Sequence, residues 1–305
     1  MVLILDINGL RIEKVVLWGG DLHVMFVVAG SGHGKLGRSL AKELGAEVCG
    51  VINRRFADGE RYVRLLEDVR DSRVIVVQNT FPDDNVVEML LLLDAAREAG
   101  AKEIRAVIPY MGYSRQERTF RDGEAISSRA IGAAIGSMCD SVYTISIHAP
   151  KVLDFFGVSS QDISGTRAAA EYLQKNGVDL IVAPDEGARK RCEEAAEILN
   201  VDCHVMSKNR IDDRNVEITM GDLNPKGMNV VILDDIISTG GTIATSAKML
   251  KEGGAASVSA VCTHGLFIED AANRLRICDE LMCSDSIESV HTRYSVSSVI
   301  AEALK

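Results

Sequence analysis

Five prolines, one tryptophan and an aromatic content of 5% leave this 305-residue chain poor in rigid breaks and aromatic surface. That scarcity excludes collagen-like and proline-rich disordered classes. Long apolar runs are also missing. The longest of consequence, Met89 to Leu93, is far short of the roughly 20 residues that span a bilayer, so no membrane partner is expected. Basic charge is in deficit, with 34 Lys and Arg against 44 Asp and Glu and a net charge of −10. No nucleic-acid footprint is expected from that balance, and phosphate ligands would need local amides, a metal ion and a few placed cations. The seven cysteines are scattered, odd in number and without a C-x-x-C pair. This speaks against a disulfide scaffold or zinc knuckle and fits a reducing, cytoplasmic setting.

What is present points to an α/β protein. At about 150 residues per domain the length argues for two domains, each with its own core, and 47% hydrophobic with 26% charged residues is ordinary globular composition. Short apolar, β-branched runs at 25–29, 48–52, 74–78, 104–110, 141–147, 180–184, 201–206, 229–234, 257–263 and 281–284 predict strands. Helical patterns fall between them at 36–44, 86–99, 126–138, 165–175, 188–199 and 242–252, several closing at a glycine (Gly45, Gly100, Gly177, Gly253). Apolar strands joined by crossover helices predict mostly parallel sheets flanked by helices, with ligands at the carboxyl ends of strands. The polar stretch 158–165 is the expected boundary, with about five strands on either side, and the halves are candidates for a duplicated fold. Residues 1–24 lack the basic region and cleavage site of a signal peptide. They read as an N-terminal extension, either a short added hairpin or a segment before a natural start at Met25.

The most informative stretch is 229–245, NVVILDDIISTGGTIAT. A buried strand ends in Asp234 and Asp235, a turn at Ile236 and Ile237 follows, and Ser238-Thr239-Gly240-Gly241-Thr242 opens a helix. Successive amides in such a loop, with the helix dipole behind them, form an anion-binding concavity. Glycine lets the backbone approach a phosphate, and the three hydroxyls add donors. Two carboxylates beside a phosphate cradle would repel it unless they hold something else, and sugar hydroxyls or a water-bound magnesium ion meet that need. The stretch resembles the ribose-5-phosphate/PRPP-binding loop shared by type I phosphoribosyltransferases and ribose-phosphate pyrophosphokinases.

Two loops of the first half separate those classes. Residues 54–60 read RRFADGE and 110–124 read YMGYSRQERTFRDGE, both after apolar strands. Phe56 offers a ring for stacking an adenine, while Asp58 and Glu60 offer acceptors. Arg115, Arg118 and Arg121 gather beside Gln116, and arginine forks suit phosphate oxygens. The pair resembles the ATP-binding F-x-D-G-E and R-Q-D-R segments of the pyrophosphokinases, which phosphoribosyltransferases lack. Residues 146–150 (SIHAP) resemble that family's D-L-H-A-P segment, 184–188 (PDEGA) its pyrophosphate loop, and the polar stretch from Ser207 to Asn229 its mobile catalytic loop.

The resemblance implies two tandem phosphoribosyltransferase-like domains, ATP-binding over 25–162 and ribose-5-phosphate/PRPP-binding over 163–291, with a tail at 292–305 packing back on the first. It implies Phe56, Asp58, Gly59, Glu60, Arg115 and Gln116 for ATP, and His148 and Asp185 for Mg2+. Asp234, Asp235, Ser238, Thr239, Gly240, Gly241 and Thr242 would take ribose 5-phosphate, with Lys208 and Arg210 catalytic and Arg210 also meeting the sugar phosphate. A cytoplasmic homodimer or higher homo-oligomer acting on small molecules is implied as well. Glu117, Ser146 and Ser238 depart from the family's aspartates, the last as in its archaeal-type branch. Other readings remain at this point. Residues 32–37 match G-x-G-x-x-G after a strand, as a nicotinamide-cofactor site would. A phosphoribosyltransferase or a catalytically silent relative of the pyrophosphokinases are the further alternatives.

Overall fold

The computed structural model describes residues 24–210 and 216–305, so the extension at 1–23 lies outside the described residues, and for 208–210 and 216–218 only the backbone is described. The first half contains β1 (Met25–Ala29), α1 (Gly34–Leu44), β2 (Glu47–Cys49), β3 (Val51–Arg55), β4 (Arg61–Leu65), β5 (Arg73–Val77), α2 (Asp83–Glu98), β6 (Glu103–Ile108), α3 (Ser127–Gly136), β7 (Ser141–Ile145) and β8 (Ser159–Ile163). The second half follows with α4 (Thr166–Leu173), β9 (Leu180–Ala183), α5 (Arg189–Leu199), β10 (Asp202–Val205), β11 (Ser207–Arg210), β12 (Val216–Thr219), β13 (Asn229–Ile237), α6 (Gly241–Glu252), β14 (Ser257–Gly265), α7 (Ala271–Arg274), β15 (Glu280–Ser284), β16 (Thr292–Tyr294) and α8 (Ser297–Leu304).

Two six-stranded sheets result, in the orders β2-β1-β5-β6-β7-β8 and β10-β9-β13-β14-β15-β16, with β3–β4 and β11–β12 as separate two-stranded hairpins. Every pairing inside the large sheets is parallel. The two orders are the same order. With α4 closing the first repeat as α8 closes the second, strands, α-helices and hairpins follow one topology in both halves, so the chain is a duplicated fold.

Apolar strands explain the layering. Val28, Val74 and Val76 pack on the outer face of the first sheet with Met89, Leu92 and Leu93 of α2. Val182, Val230 and Ile232 do the same in the second with Ile243 and Leu250 of α6. A third cluster joins the halves: Val27, Leu36 and Leu40 meet Leu173, Ile181, Ala195 and Ile300. Each such aliphatic side chain contributes about 1.5–3 kcal/mol on burial, so the two domains share a core. Arg105 Nη1 donates to Leu304 O at 2.8 Å, tying α8 to the first sheet.

Several elements differ from the sequence expectations, each for a physical reason. The polar stretch 158–165 contains β8, an edge strand (SSQDI) with one flank open to solvent and hence no apolar signature. The expected strand 48–52 is two strands, because the chain leaves the large sheet at Gly50 to form the β3–β4 hairpin. β13 runs on through Ile236 and Ile237, which pair with His264 and Gly265 of the equally long β14, so the turn begins only at Ser238.

Candidate active site

β13 brings Asp234 and Asp235 to the seam between the domains. Asp235, 4% exposed, accepts a hydrogen bond on Oδ2 from His148 Nδ1 at 2.9 Å. His148 lies in the segment after β7, so this bond crosses from one domain to the other. Arg191, on the first turn of α5, lies 3.2 Å from Asp235 Oδ2 through Nη2 and 3.2 Å from Asp234 Oδ1 through Nη1, and Nη1 also donates to Gly187 O at 3.0 Å. Arg191 thus pins the acid pair to the loop that precedes its own helix.

These contacts set the charges. Burial opposes ionisation of Asp235, but the His148 hydrogen bond and the Arg191 guanidinium outweigh it and hold the carboxyl below the usual carboxylate range. Burial, then the charge of Asp235, push Asp234 well above that range against the pull of Arg191. The pair carries one negative charge more readily than two. His148 thus orients Asp235 through Nδ1 and itself lines the cleft.

Asp185 follows β9, and its Oδ1 accepts from Gly187 N at 3.0 Å, closing the turn that leads into α5. His148, Asp185, Gly187, Met206 and Ser207 line one open cleft of about 640 Å³. Ser207 begins β11, where Lys208 and Arg210 stand opposite Ile218 and Val216. For Lys208 and Arg210 the structure describes this strand position only.

Beyond the acid pair the backbone turns at Ser238 and Thr239. Gly240 adopts φ +75°, and an added Cβ would meet Leu275 Cγ at 2.8 Å, so both conformation and space require glycine there. Among the described residues no side chain caps α6, whose first amides at Gly241 and Thr242 therefore remain for a ligand.

The first-domain residues gather less closely. Phe56, Asp58, Gly59 and Glu60 form the tip of the β3–β4 hairpin, with Asp58 Oδ1 accepting from Glu60 N at 3.0 Å. Phe56 is 46% exposed and stands edge-on to Tyr62 at 5.6 Å, with Arg54 over both rings. Among the described residues, none of this tip lines the cleft of His148 and Asp185. The hairpin's base is fixed by Glu88, fully buried on α2, whose carboxylate accepts from Ser31 N, Ser31 Oγ, Asn53 Nδ2 and Arg61 Nη1. Gln116 is held by Ser127 and Ser128 of α3. Arg115 is exposed, and its charge acts on Tyr110 together with that of Asp235, so this loop reaches the acid pair's side of the seam.

Arg191 and Glu88 were not among the residues singled out in the sequence. The run RKR at 189–191 directly after the pyrophosphate-like loop was the available signal for the first. For Glu88, in an otherwise apolar helix face, burial was the signal, and it shows only in the fold.

The fold defines a protein of two tandem phosphoribosyltransferase-like domains, with an acid pair at their seam. The family model of the N-terminal domain of ribose phosphate pyrophosphokinase matches residues 25–138, and that of the phosphoribosyl transferase domain matches residues 162–295. The ribose-phosphate pyrophosphokinase of Methanopyrus kandleri is 40% identical over 288 residues, covering 92% of this chain and 99% of the relative. That of Pyrococcus furiosus is 40% identical over 274 residues, covering 88% and 97%. The crystal structure of phosphoribosylpyrophosphate synthetase from Mycobacterium smegmatis superposes with a TM-score of 0.78 at 26% identity, covering 92% of this chain and 97% of that one. The chain belongs to the ribose-phosphate pyrophosphokinase family and is an enzyme of that class. No described helix is long and apolar enough to cross a membrane.

Proposed function

We propose that the chain transfers the β,γ-diphosphoryl group of ATP to the anomeric 1-hydroxyl of ribose 5-phosphate, giving PRPP and AMP. The observation that carries this reading is the meeting at one interdomain seam of the acid pair with His148 and, through Arg191, with the turn that follows Asp185, the glycine loop continuing from the same strand as the acids. The sugar oxygen attacks the β-phosphorus in line, a new O–P bond forms, the bond from the β-phosphorus to the bridging oxygen breaks, and AMP departs. Such a reaction needs positioning and neutralisation of phosphoryl oxygens more than covalent help.

The residues divide that work. Residues 238–242 grip the 5-phosphate through amides and hydroxyls. Asp234 and Asp235, oriented by Arg191 and His148, accept hydrogen bonds from the ribose hydroxyls. Phe56 stacks the adenine, Asp58, Gly59 and Glu60 bound its pocket, and Arg115 and Gln116 hold the triphosphate. Lys208 and Arg210 close on the reacting phosphates from β11, with Arg210 also serving the sugar phosphate. Because the Phe56 hairpin tip stands apart from the cleft, the pocket is completed by closure or by a second copy of the chain. This supports a homodimer or higher homo-oligomer, in the cytoplasmic setting that seven free cysteines suit.

Among the described residues no group of three His, Cys, Asp or Glu side chains converges on a point. Mg2+ commonly takes one or two carboxylates and completes its shell with substrate phosphate and water, so the sparse set of Asp185 and His148 on one cleft fits it. Bound there, the ion would neutralise phosphoryl charge. The test is AMP release from ATP. Strict dependence on ribose 5-phosphate is expected; AMP formed without the sugar, or none with it, overturns the proposal.

A further inference from the structure

The duplicated topology makes a second demand on the structure. In the cleft described above, the loop after β9 in the second domain faces the segment between β7 and β8 of the first. The equivalent pairing, with the domains exchanged, sets the loop after β1 against the segment between β15 and β16. A cleft of about 430 Å³ is found there, lined by Gly32, His33, Lys35 and Ser39 from the first domain and by Glu288 and Ser295 from the second. This is the glycine-rich stretch at 32–37 that the proposed reaction leaves unused.

Three observations mark this cleft as a site. His33 is 2% exposed, lines the cleft and directly precedes α1, yet neither ring nitrogen has a hydrogen-bond partner among the described residues. A buried polar group left unpaired is destabilising, so a partner for this ring is favoured. The first turn of α1 has no acidic residue and no side-chain cap, so the amides of Gly34, Lys35 and Leu36 face outward beneath a positive helix end. The loop already collects carboxylates: Glu88 on the Ser31 amide and Glu288 on Lys35. Where the second domain carries Asp234 and Asp235 after β13, the first carries Gln78 and Asn79 after β5, so the acids that would repel an anion or attract a cation are replaced by amides.

We infer that this pseudo-symmetric cleft is a second ligand site, taking a phosphate group, free or as the phosphoryl end of a nucleotide. The anion is held by the α1 amides, by the His33 N–H and by Lys35, which exchanges its partner Glu288 for the ligand. Asp285 and Arg293 also line the cleft, so its side-chain charges balance as Lys35 with Glu288 and Arg293 with Asp285, and the helix end tips it toward an anion.

The test uses the full chain with 15N-labelled histidine. Imidazole nitrogen shifts are followed while inorganic phosphate is titrated to 50 mM, on the order of weak anion affinities, and AMP is titrated in a separate arm. His33, assigned with His33→Gln, is expected to shift and saturate. Saturation with phosphate alone identifies the free anion, and saturation only with AMP identifies a nucleotide. Lys35→Ala, a change at an exposed side chain, should weaken binding about tenfold, the loss of one charge-assisted hydrogen bond. Glu288→Gln should tighten it several-fold. Both variants should keep the KM for ribose 5-phosphate, which separates this site from the proposed active site. No His33 shift with either ligand, or equal binding by wild type and Lys35→Ala, overturns the inference.

Discussion

Replacing Arg191 by alanine isolates the device that orients the acid pair. The guanidinium makes three polar contacts of 3.0–3.2 Å, to Gly187 O, Asp234 Oδ1 and Asp235 Oδ2, and its side chain is 22% exposed. Removing one partner of a buried ion pair costs about 3–5 kcal/mol; partial exposure lowers this to about 2–3 kcal/mol of stability. In the variant, burial and mutual repulsion act on both carboxyls with only His148 and the Asp235 and Ile236 amides opposing them, so their proton affinities rise. The ribose hydroxyls then lose charged acceptors, each such hydrogen bond contributing about 1.5–3 kcal/mol. The expected outcome is a kcat/KM for ribose 5-phosphate about 10- to 100-fold lower, with its acid limb moved to higher pH and the KM for ATP little changed. Arg191→Lys keeps the charge but not the fork and should fall between. Steady-state kinetics over pH 6–9, on the order of the range in which such limbs appear, provide the assay. An alanine variant within twofold of wild type, or one whose loss falls equally on ATP, would refute the reasoning.

Four further outcomes are expected. Phe56→Ala, at an exposed ring, should leave the melting temperature unchanged and raise the KM for ATP about tenfold, stacking on a base being worth about 1–3 kcal/mol; an unchanged KM removes Phe56 from the pocket. Gly240→Ala meets both a left-handed backbone and Leu275; it should cost about 1–3 kcal/mol in thermal unfolding and weaken ribose 5-phosphate in a binding titration, and normal binding would detach the cradle from residue 240. Lys208→Ala should fold normally and lose about 10²-fold or more in turnover, whereas near-wild-type turnover ends its catalytic role. Burial raises the Asp162 carboxyl from 3.8 to about 6, against hydrogen bonds from Ile147 N and Thr144. An acid raised on folding favours the native state only while protonated, so stability falls as pH rises from about 4 through 6, by about 3 kcal/mol at 1.36 per pKa unit. Asp162→Asn, which keeps the Oδ1 acceptor of both bonds, should lack that fall in urea unfolding, and parallel pH curves for the two proteins would contradict the assignment.

The parallel sheets were legible because their central strands are apolar on both faces, as VVILD at 230–234 and RVIVV at 73–77 show. Of the edge strands, β10 was legible at 201–206, but β8 and β16 were not, since they satisfy one flank with water and read as polar loop. The glycine turn before α6 was legible, and the necessity of glycine at residue 240 is a backbone property that sequence carries directly. Arg191, Glu88 and His33 were not, because their roles depend on which carboxylate or cavity the fold places beside them. A charged residue on a helix reads as surface until its partner is known.

Duplication also bears on how one site came to dominate. In the second domain the strand before the glycine loop ends in two acids, and the facing segment of the first domain supplies His148 to orient them. In the first domain the same strand ends in Gln78 and Asn79, and the facing segment supplies Ser284 and Ser286, which bond His264 and the Thr263 carbonyl. Burial lowers the proton affinity of His264 to about 4, so its neutral ring donates through Nε2 to Ile145 O at 3.0 Å. Across that ring lies Tyr110, at 4.9 Å, from the equivalent strand end of the other half. The seam thus has a buried centre at Tyr110 and His264, each from the equivalent strand end of its own half. On the proposed reaction the two halves therefore differ at the ends of β5 and β13, where only the second carries adjacent carboxylates, Asp234 and Asp235, and only there does a histidine of the other half, His148, bond to one of them.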